Sequence, residues 1–203
     1  IKIQENILIF DGLTGEWLSK VVSINRDNIV LQVIKKTKDF KSETDLWLIF
    51  APIKSYRMSI TVQKATELGV SRFVPCITQN TNQQKINIRN LNMNIIEASE
   101  QSERLSVPLI DDPIKIDKLV EIFPKDRCLI FCNENHDNLP TIYDAILSKF
   151  SHFNKWAVLI GPEGGFSKEE GEKIQSLPST ISVSLGERIL RSDTATTAAI
   201  FSL

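Results

Sequence analysis

The rhythm of apolar and polar positions changes near residue 45 of the chain. From Ile7 to Val33 the two kinds alternate around turn signals, the period of half-buried strands. "ILIFDG", "EWLSKVVSI" and "NIVLQVI" predict three short antiparallel strands, with Asp11–Gly12 as a turn dipeptide. The charged run "KKTKDFKSETD" lacks periodicity and reads as a linker, roughly Lys35 to Asp45.

Beyond that run, the apolar stretches become continuous. "LWLIFAP" (Leu46–Pro52) has the composition of a strand buried on both faces. Met58, Val62 and Ala65 follow helical spacing, and Gly69 suits the helix end. "RFVPCIT" predicts the next strand. Leu91, Ile95, Ala98 and Leu105 share one helix face, with Pro108 beyond it. A short helix near Ile116–Phe123 precedes strand "CLIFC", and a helix from about Thr141 to Phe150 leads to strand "WAVLIG". A helix at about Ser167–Leu177, strand "SVSLG" and a last helix near Thr194–Leu203 follow. Strands alternating with helices argue for an α/β domain with a mostly parallel sheet.

Composition narrows the setting. The 203 residues are 42% apolar, enough for an ordinary core in one large domain or two small ones. The net charge of −1 gives no global basic field, though it leaves room for a local basic patch. No apolar run approaches membrane-spanning length. No secretory signal is visible, and residue 1 is Ile rather than Met, so the expectation is a missing N-terminus. Cys76, Cys128 and Cys132, odd in number and in apolar settings, suggest reduced thiols in a cytosolic protein. Cys128 and Cys132 share a strand face without zinc spacing, and His136 and His152 complete no metal site.

Two stretches carry candidate chemistry. "LIGPEGGFS" (Leu159–Ser167) breaks a buried strand with a glycine-rich bend, and Ser167 with Glu170 then has capping-box spacing. The bend lacks the Lys-Ser/Thr of a phosphate loop and is not G-x-G-x-x-G. Gly161, Gly164 and Gly165 would let a ligand approach the backbone, and Pro162 stiffens the bend; an ordinary strand-to-helix turn fits the bend equally well. "SLGERILRSDTATTAA" (Ser184–Ala199) places Arg188 and Arg191 between a strand and a helix that Ser192 or Asp193 would cap. The two arginines suit an anionic partner, or else are solvated or paired with Asp193 and Glu187. In "EASEQSER", Glu100 and Arg104 have the i, i+4 spacing of a surface ion pair on a charged outer face. No local Ser-His-Asp arrangement is seen.

Taken in order, "KATELGV…P", "EASEQSER…P", "LIGPEGGFS…E" and "SLGERILRSDTA" resemble the bacterial 16S rRNA uracil-N3 methyltransferases. These are also called ribosomal RNA small subunit methyltransferase E, of the SPOUT superfamily. The match runs from about Leu46 to the C-terminus. The resemblance implies a SPOUT-type mostly parallel sheet over residues 45–203, with a deep trefoil knot near its end, a rarity among folds. It implies that residues 1–40 form part of a small PUA-like β-barrel for RNA binding; the family's basic "HH…VLR" opening is absent, which suggests truncation, disordered residues left out, or a divergent protein.

The resemblance also implies S-adenosylmethionine (SAM) as cofactor, 16S rRNA or the assembled small ribosomal subunit as partner, and a cytoplasmic homodimer without a metal. Three segments would line the SAM pocket. One is Phe131, Cys132, Asn133 and Glu134. The second is Ile160, Gly161, Pro162, Glu163, Gly164 and Gly165. The third is Leu185 and Gly186, with Ile189, Leu190 and Arg191. Arg191 is the first candidate for stabilising an anionic uracil. Arg188 is the second and is also a candidate grip on phosphate. Glu163 is a candidate base, loop orienter or neighbour of the sulfonium, and Arg104 and Gln101 are candidates for shaping the active site. The family's Glu is replaced by Asp193, which keeps the charge. Lys20, Arg26, Lys35, Lys36, Lys38 and Lys41 are candidate phosphate contacts, or else a solvated face. The rival readings are a SPOUT enzyme for tRNA or 23S rRNA, and a non-catalytic RNA-binding module.

Overall fold

A computed structural model describes residues 1–83, 85–133, 139–147 and 152–203. The chain divides into two compact units. One comprises Ile1–Glu43 with Ser99–Val107, and the other comprises Thr44–Ala98 with Pro108–Leu203.

The first unit is a meander of β1 (Asn6–Phe10), β2 (Gly15–Ile24) and β3 (Ile29–Asp39), paired antiparallel in the order β1-β2-β3. Asp11 shapes the first turn by accepting from the backbone N–H of Leu13 and Thr14 (2.9 and 2.7 Å). The linker expected over Lys35–Asp45 is corrected, because Lys35 to Asp39 continue β3 and only residues 40–44 connect. Cross-strand contacts hold this charged end. Thr37 donates to Glu16 (2.8 Å), and Lys36 lies over the Trp17 ring at 5.7 Å. Pairing of this kind is invisible to local periodicity.

In the second unit, β4 (Asp45–Phe50), β5 (Arg72–Ile77), β6 (Leu109–Ile110), β8 (Cys128–Cys132), β9 (Lys155–Ile160) and β10 (Thr180–Val183) form a parallel sheet in the order β10-β8-β9-β4-β5-β6. Strand β7 (Ile114–Lys115) pairs with β5 as well. Pro75 falls in the gap between these two short partners, a position that tolerates a residue without an N–H.

Alternation along the strands serves both faces. Ile49, Val74, Leu129, Phe131, Ala157 and Leu159 point one way, into a core shared with Ile116 and Leu119 of α3 (Ile116–Ile122) and Ile174 of α5 (Lys168–Gln175). Their neighbours Leu48, Phe50, Ile130, Val158 and Ile160 are also buried. Beyond them α1 (Ser55–Glu67) meets α6 (Ser192–Phe201), and α6 meets β9. Gly69 ends α1 at φ +95°, with its N–H on Thr66 O and that of Val70 on Ala65 O, a Schellman pattern that requires the left-handed backbone.

Other boundaries differ from expectation. Helix α2 (Ile88–Gln101) stops before Leu105 because Glu103 adopts φ +55°. Arg104 therefore lies past the end of the helix that carries Glu100. It is buried, and its guanidinium bonds Glu43 and Ser106 Oγ (3.1 Å to the latter). Strand β10 ends at Val183 rather than Gly186. The helix expected over Thr141–Phe150 is described only as α4 (Ile142–Ala145) with its following turn, and residues 148–151 lie outside the described residues. Helix α6 starts at Ser192 with Arg191 as its cap, and no side chain caps it. Ser192 and Asp193 therefore do not cap, because the chain bends one residue earlier, where Arg191 O accepts from Ala195 N (2.7 Å).

Candidate active site

Strands β10, β8 and β9 are adjacent and parallel, so the chain leaves all three at one edge of the sheet. Ligands in open α/β sheets bind beyond this carboxyl edge. A cleft of about 1220 Å³ lies there. Its walls include Phe131, Cys132 and Asn133 from the end of β8, and Ile160, Gly161, Pro162, Glu163 and Gly165 from the bend after β9. The segment after β10 contributes Leu185, Gly186, Arg188, Ile189, Leu190 and Arg191. Stretches distant in sequence thus share one cavity. Gly164 is not on its wall, and Glu134 lies outside the described residues. Gln101 and Arg104 belong to the first unit.

The bend is held from several sides. Gly165 N donates to Pro162 O (2.9 Å), closing a turn over Glu163 and Gly164, and Gly165 takes φ +66°. Asn80, just past β5, donates its amide to the carbonyls of Gly164 (2.9 Å) and Gly165 (3.2 Å). Gly164 faces this Asn80 rather than the cleft. The capping box is present: Ser167 N donates to Glu170 Oε2 (2.9 Å), and Glu170 N donates to Ser167 Oγ (3.3 Å). Glu170 is buried, and its other oxygen accepts from Gln79 N (2.7 Å). The Phe166 ring meets Phe131 edge-on, at 5.2 Å and 78°. The rigid hydrogen-bonded bend therefore presents backbone to the cleft.

The charged residues have different surroundings. Glu163 forms an ion pair with Arg57 of α1, which also lines the cleft. Arg188 and Arg191 are exposed on the cleft wall, and among the described residues neither forms an ion pair with Glu187 or Asp193. Asp193 Oδ1 is buried with no hydrogen-bond partner among the described residues. Gly186 takes φ +109° with open space where a side chain would be, and its N–H donates to Ser184 Oγ (3.1 Å). Burial pushes the Cys76 thiol up to about 12, with a smaller contribution from the charge of Glu170. Burial alone does the same to Cys128.

Sequence reasoning missed Arg57 and Asn80. Their signal was position, since both follow the carboxyl ends of parallel strands (β4 and β5), where sites in such sheets collect. Neither belongs to a motif with a recognisable spacing.

The RNA methyltransferase domain family matches residues 40–203. Ribosomal RNA small subunit methyltransferase E of Rickettsia conorii (strain ATCC VR-613 / Malish 7) is 32% identical, covering 98% of this chain and 80% of that protein. The protein of that name from Buchnera aphidicola subsp. Schizaphis graminum is 30% identical over 100% of this chain and 82% of its own length. Among solved structures, ribosomal RNA small subunit methyltransferase E from Neisseria gonorrhoeae, bound to S-adenosyl methionine, has a TM-score of 0.83 and 25% identity, with 100% of this chain and 83% of that one covered. The chain is an α/β protein of the RNA methyltransferase class, and it belongs to the ribosomal RNA small subunit methyltransferase E family.

Proposed function

We propose that this protein is a SAM-dependent methyltransferase acting on N3 of a uridine in the 16S rRNA of the small ribosomal subunit. The observation that carries the reading is the meeting of the β8, β9 and β10 exits around one cleft in a chain of this family. Its residues fit SAM. The volume exceeds what a nucleoside-sized ligand needs. Phe131, Leu185 and Leu190 offer apolar walls, and the Gly161–Gly165 bend and Gly186 leave backbone accessible.

When bound, SAM supplies an electrophilic methyl group on a sulfonium. Uracil N3 carries a weakly acidic proton on its base-pairing edge, so the target base is unpaired or extruded when it reacts. Loss of that proton leaves an anion shared by N3 and the two exocyclic carbonyl oxygens. Arg191 stabilises the anion through a fixed positive charge, and the lack of an ion pair at Arg191 among the described residues supports that role. Arg188 grips the phosphate of the target strand.

The trefoil knot fits the strand order β10-β8-β9-β4, with the chain returning from β10 to α6 against β9 and α1. A PUA-like role in holding RNA fits the lysines along β2 and β3, among them Lys20, Lys35 and Lys38. A homodimer fits Ile189, which is 86% exposed. A cytoplasmic location follows from the ribosomal substrate.

The test is methyl transfer from labelled SAM to 30S subunits, with mass mapping of the methylated nucleoside. The expected product is 3-methyluridine in 16S rRNA. Arg191→Ala is expected to lower turnover by at least ~100-fold in a folded protein. Methylation of a ribose or a tRNA, or near-wild-type turnover of the variant, overturns the corresponding part of the reading.

A further inference from the structure

We infer that Arg57 is a positioning residue for the cofactor pocket, acting through Glu163, and that Glu163 serves as its anchor rather than as the proton acceptor. The inference rests on the proposed SAM-dependent reaction. Glu163 is the only charged side chain in the bend Gly161–Gly165. It sits inside the turn closed by Gly165 N on Pro162 O, so its carboxylate moves with that turn. Asn80 secures the carbonyl side of the bend at Gly164 and Gly165. The carboxylate side is secured by Arg57, which stands in the first turn of α1 and pairs through Nη1 with Glu163 Oε1. The bend is thus clamped between two neighbouring strand exits, β5 on one hand and β4 with α1 on the other.

Three observations favour the clamp. Both charges line the cleft itself. The guanidinium neutralises the carboxylate and holds a proton acceptor's lone pair in an ion pair, which suits an anchor and opposes a general base. Finally, Arg57 and Glu163 are 27% and 52% exposed, so the pair contributes little to global stability. Its removal therefore acts on the local geometry of the turn, where small displacements weaken ligand binding.

The experiment compares wild type, Arg57→Ala, Arg57→Lys, Glu163→Gln and the Arg57→Ala/Glu163→Gln double variant. SAM binding to protein without RNA is measured by calorimetry, together with melting temperature and steady-state methylation of 30S subunits. Wild-type SAM binding and methylation are measured first: their absence overturns the proposed function and the clamp with it, whereas wild-type binding that the variants leave unchanged overturns the clamp alone. The expected result is a roughly 5- to 20-fold rise in both Kd and KM for SAM in each single alanine or glutamine variant, with kcat within about threefold. Arg57→Lys recovers most of the affinity, and the double variant is no weaker than either single one, as coupled partners require. Melting temperatures stay near wild type. Additive losses, an unchanged Kd in Arg57→Ala, or a Glu163→Gln variant that loses kcat with its SAM affinity intact each overturn the inference.

Discussion

Replacing Gly161 with alanine tests how tightly the cleft is built. A Cβ at this position would lie 2.6 Å from Phe166 Cε2, 3.1 Å from Cδ2 and 3.2 Å from Cζ. Carbon atoms in contact prefer about 3.5–4.0 Å, so the intrusion is close to 1 Å. The ring has little room to retreat, because its edge contact with Phe131 backs it against the buried core. Overpacking of this kind costs about 1–3 kcal/mol, or about 5- to 150-fold in an equilibrium. The strain falls on the bend and the end of β8, both of which wall the cleft. Thermal melting should fall by a few degrees per kcal/mol, and calorimetry should show weaker SAM binding. Adding Phe166→Leu to Gly161→Ala should relieve part of the loss, since it removes the ring atoms that the new methyl group meets. A single variant with wild-type melting and wild-type SAM affinity refutes the steric argument, as does a double variant that shows no relief.

Other consequences follow at sites away from the bend. Arg127 is buried, stacks on Trp47 at 3.8 Å, and donates to the carbonyls of Asp45 and Trp156 (both 2.9 Å) and to Asp45 Oδ2 (2.6 Å). Arg127→Ala should cost about 2–4 kcal/mol in urea unfolding, tempered by the partial exposure of Asp45; a loss under 0.5 kcal/mol would show the cluster to be dispensable. The Asp11 carboxyl is held at about 2, below its ordinary 3.8, chiefly by the backbone N–H of Thr14, then by the Thr14 hydroxyl and the Leu13 N–H. That stabilisation is fully present above the unfolded value and is lost as pH falls through about 2. Urea midpoints of wild type and Asp11→Asn should therefore converge between about pH 4 and 2, and parallel curves would contradict it. Cys76 and Cys128, with thiols near 12, should resist thiol reagents at pH 8 until the protein unfolds; fast labelling of the native protein would refute their burial.

The sequence by itself determined the elements whose signals are local. Continuous apolar runs marked β4, β8 and β9 because both faces of a parallel strand are covered. Ser167 with Glu170 marked the start of α5, and Gly69 the end of α1, because capping depends on residues a few positions apart. The two glycine- and arginine-bearing motifs also marked most of the cleft wall, since each directly follows a strand. Tertiary structure decided what depends on partners far along the chain. The charged end of β3 is strand only because β2 lies beside it. Arg104 left the helix and bonds Glu43, sixty-one positions away, once Glu103 turned the chain. Glu163, ambiguous as a residue in a loop, acquired its meaning from Arg57, which sequence places 106 positions earlier and the fold brings within an ion pair. Short-range periodicity records which side of an element faces the core, and it holds no record of which two loops the sheet order will bring to the same edge.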